Sequence, residues 1–262
     1  MCIYKTKVEK NKKLEINKLM RVWKNLIKTK GKIVFPDDGK KYDAIEYFNT
    51  DGFYPGYFKK GRLKTLFIAR EARYNSGQDR IKNDLKWFKT TNINTSTFWR
   101  RILYIVYGIK NNGQYSYYDI PYANDILKEM QKTNDFGFAL MNVSKYSNDA
   151  EDGVKSNFSL INQFLKDSEL DKRNFIREEI SILDPDIIIT ANLWNCGIDQ
   201  NELERIIPTK DCKLEKEIKN VAQLWNFNFN GKNIKLLDLY HFSCPGNDEK
   251  LFYTPAMKLL FK

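Results

Sequence analysis

Four short apolar runs divide the sequence, and each has the length of a buried β-strand. They cover residues 65–69, 136–142, 186–190 and 234–240. Apolar residues at nearly every position of a short run are typical of strands that are covered on both faces, as in a parallel sheet. Helical periodicity fills the intervals, and strand–helix alternation implies right-handed crossovers. The pattern predicts an α/β fold, a three-layer α/β/α sandwich with a central, mostly parallel four-stranded sheet.

Residues 14–30 have the clearest helical pattern, because their apolar positions recur at intervals of three and four. These positions are Ile16, Leu19, Met20, Trp23, Leu26 and Ile27, before a stop signal at Gly31. Further helices are predicted at 97–109, 122–132, 156–166, 171–183, 200–206 and 248–262, with a small strand at 221–230. No internal repeat or linker divides the sequence, so residues 1–262 are expected to form one domain. A long insert, about residues 75–135, separates the first two apolar runs.

The charge is uneven along the chain. The formal net charge is +11, and residues 1–41 hold thirteen Lys or Arg against four acidic residues. A basic N-terminal helical segment of this kind can meet the phosphates of a polyanion, although the same lysines can also simply solvate a surface. The charge distribution therefore favours a nucleic acid as partner.

Compartment and cofactors follow from what the sequence lacks. No stretch approaches the roughly 18 consecutive apolar residues of a membrane helix. The basic N-terminus also has no apolar signal-peptide core. We therefore expect a cytoplasmic monomer with no membrane partner. The cysteines are scattered and the chain has one histidine, so neither a disulfide framework nor a zinc site is expected. No metal and no cofactor are predicted.

Polar side chains stand where the apolar runs end. Arg70 and Glu71 follow the first run, Asn142 ends the second, and His241 follows the last. In open α/β sheets, ligands bind outside the carboxyl ends of the strands. Each residue also has a structural interpretation: Glu71 as an acid at a helix start, Asn142 as a turn residue, and His241 as a packed side chain. Their joint placement at successive strand ends favours a functional site.

Three segments carry these residues: Thr65-Leu66-Phe67-Ile68-Ala69-Arg70-Glu71-Ala72, Phe138-Ala-Leu-Met-Asn142 and Tyr240-His241-Phe242-Ser243-Cys244-Pro245. In the same order, they resemble the motifs of the uracil-DNA glycosylase superfamily. There a hydrophobic strand runs into Gly-Gln-Asp-Pro or a related sequence, a second strand ends in asparagine, and the last is followed by His-Pro-Ser-Pro. The stretch 182–190 is similar to the helix, proline and strand between them. The resemblance covers roughly residues 63–245.

The resemblance implies a protein that flips a uracil or modified base out of DNA and hydrolyses its N-glycosidic bond. It implies catalytic roles for Glu71, which would orient water, and for His241, which would donate a hydrogen bond to the departing base. Asn142 would bind the base edge. The implied stacking residues are Tyr74 and Phe242, with Trp87 and Phe88 as further aromatic candidates. The implied phosphate-binding residues are Arg70, Arg73 and Ser243. No iron–sulfur cluster is expected, because the cysteines do not match the family's ligand positions.

Two alternatives remain open. The motifs depart from the family pattern, since Ala69 stands where glycine is usual and Phe242 where proline is usual. The altered first motif keeps open a non-catalytic nucleic-acid-binding protein on the same fold. A nuclease-like α/β enzyme is the other alternative, but it would need clustered acids. Asp184 and Asp186 lie at the start of a strand, which is the wrong end for a site.

Overall fold

The structure, a computed structural model, describes residues 4–34, 39–73, 76–149, 155–170, 173–194 and 196–262. The strands in these ranges are β1 (Lys32–Val34), β2 (Lys41–Asp43), β3 (Gly52–Phe53), β4 (Thr65–Arg73), β5 (Ala139–Asn148), β6 (Ile187–Ala191), β7 (Cys212–Ile218), β8 (Ala222–Phe229) and β9 (Lys232–Leu239). The α-helices are α1 (Lys7–Lys30), α2 (Ala44–Tyr47), α3 (Arg80–Trp87), α4 (Thr97–Lys110), α5 (Ala123–Thr133), α6 (Phe158–Asp167), α7 (Phe175–Leu183), α8 (Gln200–Ile206) and α9 (Thr254–Phe261). A π-helical stretch, Glu249–Tyr253, leads into α9.

Seven strands form one sheet, in the order β3-β5-β4-β6-β9-β8-β7. The inner strands β5, β4, β6 and β9 are parallel, so that Phe67 of β4 pairs with Leu140 on one side and Ile189 on the other. These strands correspond to the four apolar runs, and the predicted α/β fold with a parallel core is confirmed. The predicted number of four strands is wrong, because β3, β7 and β8 extend the sheet as antiparallel strands.

Tight turns account for most of this antiparallel extension. Asn230 and Gly231 connect β8 to β9 with φ angles of 52° and 82°, the left-handed backbone of a two-residue hairpin turn. Asn220, with φ 59°, lies in the turn between β7 and β8. The small strand predicted at 221–230 is β8, and the turns make it the middle strand of a three-stranded meander.

The two edges of the sheet are short or irregular. At one edge, β3 has only two residues. At the other, the register between β7 and β8 shifts between Leu214 and Lys216. The exposed residues of β7 include Lys213, Glu215, Lys216 and Glu217.

Helices cover both faces of the sheet, because successive residues of a strand point to opposite faces. In β4, Ile68 packs with the core beneath α1, α6, α7 and α8, whereas Phe67 packs with the core beneath α3, α4, α5 and α9. The chain is therefore arranged in three layers, helices on either side of the sheet. The segment 75–135 supplies α3, α4 and α5, so it forms three of the four helices on one face.

Helix α1 combines a buried apolar stripe with an exposed basic face. It begins earlier than predicted, because the Thr6 hydroxyl accepts a hydrogen bond from the backbone of Glu9 at 3.1 Å, and the Glu9 carboxylate accepts one from the Thr6 backbone. Of the predicted apolar positions, all are buried except Leu26, which is half-buried. Trp23 stacks on Phe175 of α7 with ring centroids 5.2 Å apart. The lysines of α1 are mostly exposed.

Strand β5 continues past its predicted end at Asn142 as far as Asn148. Its added part contains fully buried polar side chains, among them Ser144, Lys145 and Ser147. Lys145 Nζ lies 2.7 Å from Asp51 and 2.8 Å from Glu179, and all three side chains are fully buried. Burial, together with the neighbouring Asp51, raises the pKa of Glu179 well above its usual range. Because β5 extends to Asn148, the carboxyl end of this strand lies at Asn148 and not at Asn142.

No helix within the described ranges combines the length and the apolar character needed to cross a membrane. Over the same ranges, no three or more His, Cys, Asp or Glu side chains are grouped so that they could hold a metal ion. Cys196, Cys212 and Cys244 carry free thiols, and Cys2 lies outside the described residues.

Candidate functional site

A cleft of about 1100 Å³ opens near the carboxyl ends of β4 and β9. This is the edge of the sheet at which open α/β folds bind their ligands. The predicted site residues that line it are Arg70, Glu71, Arg73, His241 and Ser243. Tyr74, predicted as a stacking residue, lies outside the described residues. Two segments that are far apart in the sequence therefore meet at one concave surface.

Glu71 is anchored through only one of its carboxylate oxygens. Oε1 accepts hydrogen bonds from the side-chain amide of Asn148 at 3.2 Å and from the backbone N–H of Asn157 at 3.1 Å. Oε2 is enclosed and has no hydrogen-bond partner among the described residues. Burial raises the pKa of Glu71, although the two hydrogen bonds and the charge of Arg73 act in the opposite direction. A carboxylate fixed in this way at the wall of a cleft can act as a general base or stabilise a cation.

His241 is half-buried and carries its proton on a defined nitrogen. Its Nδ1 accepts a hydrogen bond from the backbone N–H of Ser243 at 3.3 Å, so the proton of the neutral ring is on Nε2. Burial, together with the charges of Arg70 and Arg73, lowers the pKa of His241 to about 4. At neutral pH the imidazole is therefore an uncharged hydrogen-bond donor through Nε2–H.

The cleft is basic overall. Its charged lining residues are the cations Arg70, Arg73, Arg80 and Lys155 and the acids Glu71 and Asp84. Arg70 also fixes the surrounding chain, since its Nη2 donates to the Asn192 carbonyl at 3.0 Å and its guanidinium lies over the ring of Phe158 at 5.4 Å. An excess of cations in a concave surface raises the local concentration of an anionic ligand.

Asn142 does not line the cleft. It is 0% exposed within β5, where its register partner is Ala69. Its backbone N–H donates to Asp51 at 2.8 Å, but neither polar atom of its side-chain amide has a partner among the described residues. The expected position at a strand end is corrected because β5 continues, and the amide that reaches Glu71 belongs to Asn148.

Phe242 is a core residue, which corrects its prediction as a stacking residue. It is 1% exposed, and the rings within 6.0 Å of its own are those of Phe67, Phe98 and Phe252. His241 and Phe242 lie at the start of a turn closed by a hydrogen bond from the Cys244 N–H to the His241 carbonyl at 2.8 Å, with His241 at the cleft and Phe242 in the core. The aromatic residues that line the cleft are Trp87, Phe98, Trp99 and Phe158.

Several residues of the cleft cannot be recognised from the strand ends. Phe98 lies with its ring centroid 6.2 Å from that of His241, and Arg80 and Asp84 face the same cleft from α3. The spacing of Arg80 and Asp84, four residues apart, is a sequence signal for a helical ion pair. No comparable signal shows that α3 and the start of α4 pack beside His241.

Arg101 of α4 holds the loop that begins at His241. The guanidinium is 2% exposed, and its Nε donates to Asp248 Oδ1 at 2.8 Å. It also donates to three backbone carbonyls of the loop, at 2.7 to 2.9 Å, those of Phe242, Cys244 and Gly246. The loop is thus fixed by a buried cation rather than by regular secondary structure.

Comparison of the chain with protein-family models, curated proteins and solved structures finds no match. An uncharged donor at His241 and a half-anchored carboxylate at Glu71 occupy a basic cleft with aromatic walls. Such a cleft can hold a planar ring with an attached anionic group, and it can stabilise separated positive and negative charge.

Proposed function

We propose that this protein is a DNA glycosylase-like hydrolase, which takes a flipped uracil or modified base into the cleft and hydrolyses its N-glycosidic bond. The observation that carries the proposal is that Glu71 and the neutral His241 line one basic cleft. The resemblance of the three sequence motifs to the uracil-DNA glycosylase superfamily supports the same function.

The two residues suit the charges of this reaction. The bond between C1′ of the deoxyribose and the base nitrogen breaks, the base keeps the electron pair, and positive charge builds on the sugar. Glu71 stabilises this charge and orients the water that adds to C1′. The Glu71 carboxylate accepts a proton from this water. His241 donates its Nε2–H to an oxygen of the departing base. The base anion then takes a proton from solvent, and Glu71 releases to solvent the proton that it accepted from the water.

DNA is the proposed partner. The cleft has room for a base together with its sugar and phosphate, and Trp87, which is 39% exposed, offers a ring face for stacking. Arg73 and Ser243 stand at the same cleft, where they can contact phosphates. Each phosphate contact to duplex DNA lowers the slope of log K against log salt by about 0.9. We therefore expect DNA affinity to fall steeply as salt is raised.

Base release from duplexes that contain uracil, hypoxanthine or another modified base tests the proposal, with alkaline cleavage of the abasic sites as the readout. We expect the wild-type protein to release at least one base, and Glu71→Gln to slow the release by about 10²–10⁴-fold. His241→Asn should reduce the rate by about 10²-fold, because one stabilising donor is lost. Glu169→Gln is the matched control, since Glu169 is exposed and pairs with Arg205.

A non-catalytic nucleic-acid-binding protein on the same fold is the second candidate. It is favoured by the hydrogen bonds that Glu71 Oε1 already makes within the fold and by the inaccessibility of Asn142. Such a protein binds the same duplexes with salt-sensitive affinity but releases no base. Fluorescence anisotropy on the duplexes used for base release distinguishes the two: binding without release on every substrate contradicts the glycosylase proposal and supports this one.

A further inference from the structure

Arg80, the first residue of α3, is a buried cation at the wall of the cleft. It is 8% exposed and lines the cleft together with Asp84. Its backbone N–H donates to the carbonyl of Thr50 at 2.8 Å, which fixes the start of α3 against the segment that leads into β3. The aromatic rings beside its guanidinium are those of Phe98 at 6.0 Å and Trp99 at 5.8 Å. The side chain is therefore held in place by packing.

The guanidinium of Arg80 has fewer acceptors than donors. Its Nε lies 3.4 Å from Asp84 Oδ2, the same oxygen that accepts a hydrogen bond from the Tyr54 hydroxyl at 2.6 Å. Nε and Nη1 are both enclosed and form no hydrogen bond in the part of the chain that the structure describes. Together they carry three of the five N–H donors of the guanidinium, and these three are unsatisfied.

Unsatisfied donors on a buried cation are costly, and native proteins seldom retain them without a ligand or a functional reason. Asp84 offers Arg80 only Oδ2, which already accepts the hydrogen bond from the Tyr54 hydroxyl, and burial raises the pKa of this carboxyl group. A planar guanidinium matches the oxygens of a phosphate group, which can accept two parallel hydrogen bonds. The excess of cations in the cleft favours an anion at this position as well.

We infer that Arg80 forms a phosphate-binding subsite in the wall of the cleft. The phosphate belongs either to the backbone of DNA or to a free mononucleotide. This inference deepens the proposed function and rests on it for the nature of the nucleotide. Trp87 lies two turns further along the same face of α3 and lines the same cleft, so the sugar or base next to the phosphate can pack on its ring.

Isothermal titration calorimetry with inorganic phosphate, 2′-deoxyuridine 5′-monophosphate and 2′-deoxyuridine tests the subsite on the full chain. We expect the monophosphate to bind more tightly than the nucleoside, and Arg80→Met to weaken monophosphate binding by about 10- to 100-fold. Arg205→Met is the matched control, since α8 packs on the opposite face of the sheet. It should bind as the wild type does.

Arg80→Lys provides a second test in case Arg80→Met does not fold, because lysine keeps a charge beside Asp84 but lacks the planar fork. We expect it to fold and to bind the monophosphate about tenfold more weakly than the wild type. Unchanged affinity for every phosphate probe in the folded Arg80 variant overturns the inference, and so does an equal loss in Arg205→Met.

A short single-stranded oligodeoxynucleotide separates the two sources of the phosphate. Arg80-dependent binding of the oligonucleotide, with none of the free monophosphate, assigns the subsite to the DNA backbone. Arg80-dependent binding of the monophosphate assigns it to a mononucleotide. If the wild type shows no phosphate-dependent binding with any of these probes, the inference is overturned. Since these titrations need no base release, Arg80-dependent binding in a protein that releases no base contradicts the proposed function and leaves the subsite standing.

Discussion

The Glu71 carboxylate accepts a hydrogen bond from the backbone N–H of Asn157, the residue just before α6, at 3.1 Å. This bond joins the end of β4 to the start of a helix, where the helix dipole favours negative charge. The structural interpretation of Glu71 and its place in the cleft are therefore compatible. Anchoring requires an oxygen acceptor, whereas the proposed reaction requires the negative charge, so Glu71→Gln separates the two requirements.

The pH dependence of base release should reflect Glu71. Burial raises its pKa above the ordinary 4.5, and only the ionised form stabilises the cationic sugar, so the rate should fall at acid pH with a midpoint above that value. His241 should add no step near neutral pH, because its pKa is about 4. Measurement of kcat/KM on a responsive duplex from acid to alkaline pH checks this. An additional step near pH 6.5 that disappears in His241→Asn would be inconsistent with the buried, neutral imidazole.

His241 should also make stability depend on pH. Its pKa of about 4 in the folded protein lies below the ordinary 6.5, so between these values the unfolded chain binds more protons. The contribution of the neutral imidazole to the free energy of unfolding is complete above pH 6.5 and is lost as the pH falls to 4. The free energy of unfolding of the wild type relative to His241→Asn should decrease by up to about 3 kcal/mol over this window.

Urea unfolding of both proteins across that pH range measures the difference. Asp238, whose pKa burial raises to about 6, acts in the opposite direction but is present in both proteins, so its effect cancels. A difference that does not vary with pH contradicts the lowered pKa of His241.

Asn142→Val should stabilise the protein. The side-chain amide is enclosed without partners among the described residues, whereas valine suits a central strand and leaves the backbone bond to Asp51 intact. Removal of an unsatisfied amide should raise the free energy of unfolding by about 1–3 kcal/mol, which urea unfolding measures. The matched control is Asn148→Val on the same strand, which should be destabilising because it removes the hydrogen bond to Glu71. Equal losses in both variants would show that the Asn142 amide has partners of its own.

Arg101→Met should lower the free energy of unfolding by about 3–5 kcal/mol, because it leaves Asp248 without one of its two cations and three carbonyls without donors. Arg62→Met removes a partly exposed pair with Asp135 and should cost less than about 1 kcal/mol. Chemical unfolding of the two variants compares them directly. Similar small losses would mean that the loop after His241 is held by other contacts.

The parallel core could be predicted from the sequence because strands covered on both faces need apolar side chains at successive positions. Ile68 and Phe67 face opposite helical layers, and both are buried. The end of β5 could not be predicted in this way. Lys145 is buried in that strand, where its ammonium group contacts Asp51 and Glu179, two residues that are distant in the sequence.

Some residues of the candidate site could likewise be predicted from the sequence, and others could not. Glu71 and His241 could be recognised because each closely follows an apolar run, so local sequence alone placed them at one edge of the sheet. Asn148 could not be recognised as a strand-end residue, because polar residues precede it in β5. Arg80 and Phe98 belong to helices whose packing beside the cleft depends on tertiary contacts, which hydrophobic periodicity does not encode.

The form of the two sheet edges has a consequence for behaviour at high protein concentration. A strand from another molecule adds most readily to a long, flat and apolar row of unpaired backbone groups. The edge at β3 is only two residues long, and the edge at β7 carries Lys213, Glu215 and Glu217 next to a shift in register. The form of the edges thus opposes polymerisation by strand addition at both sides of the sheet.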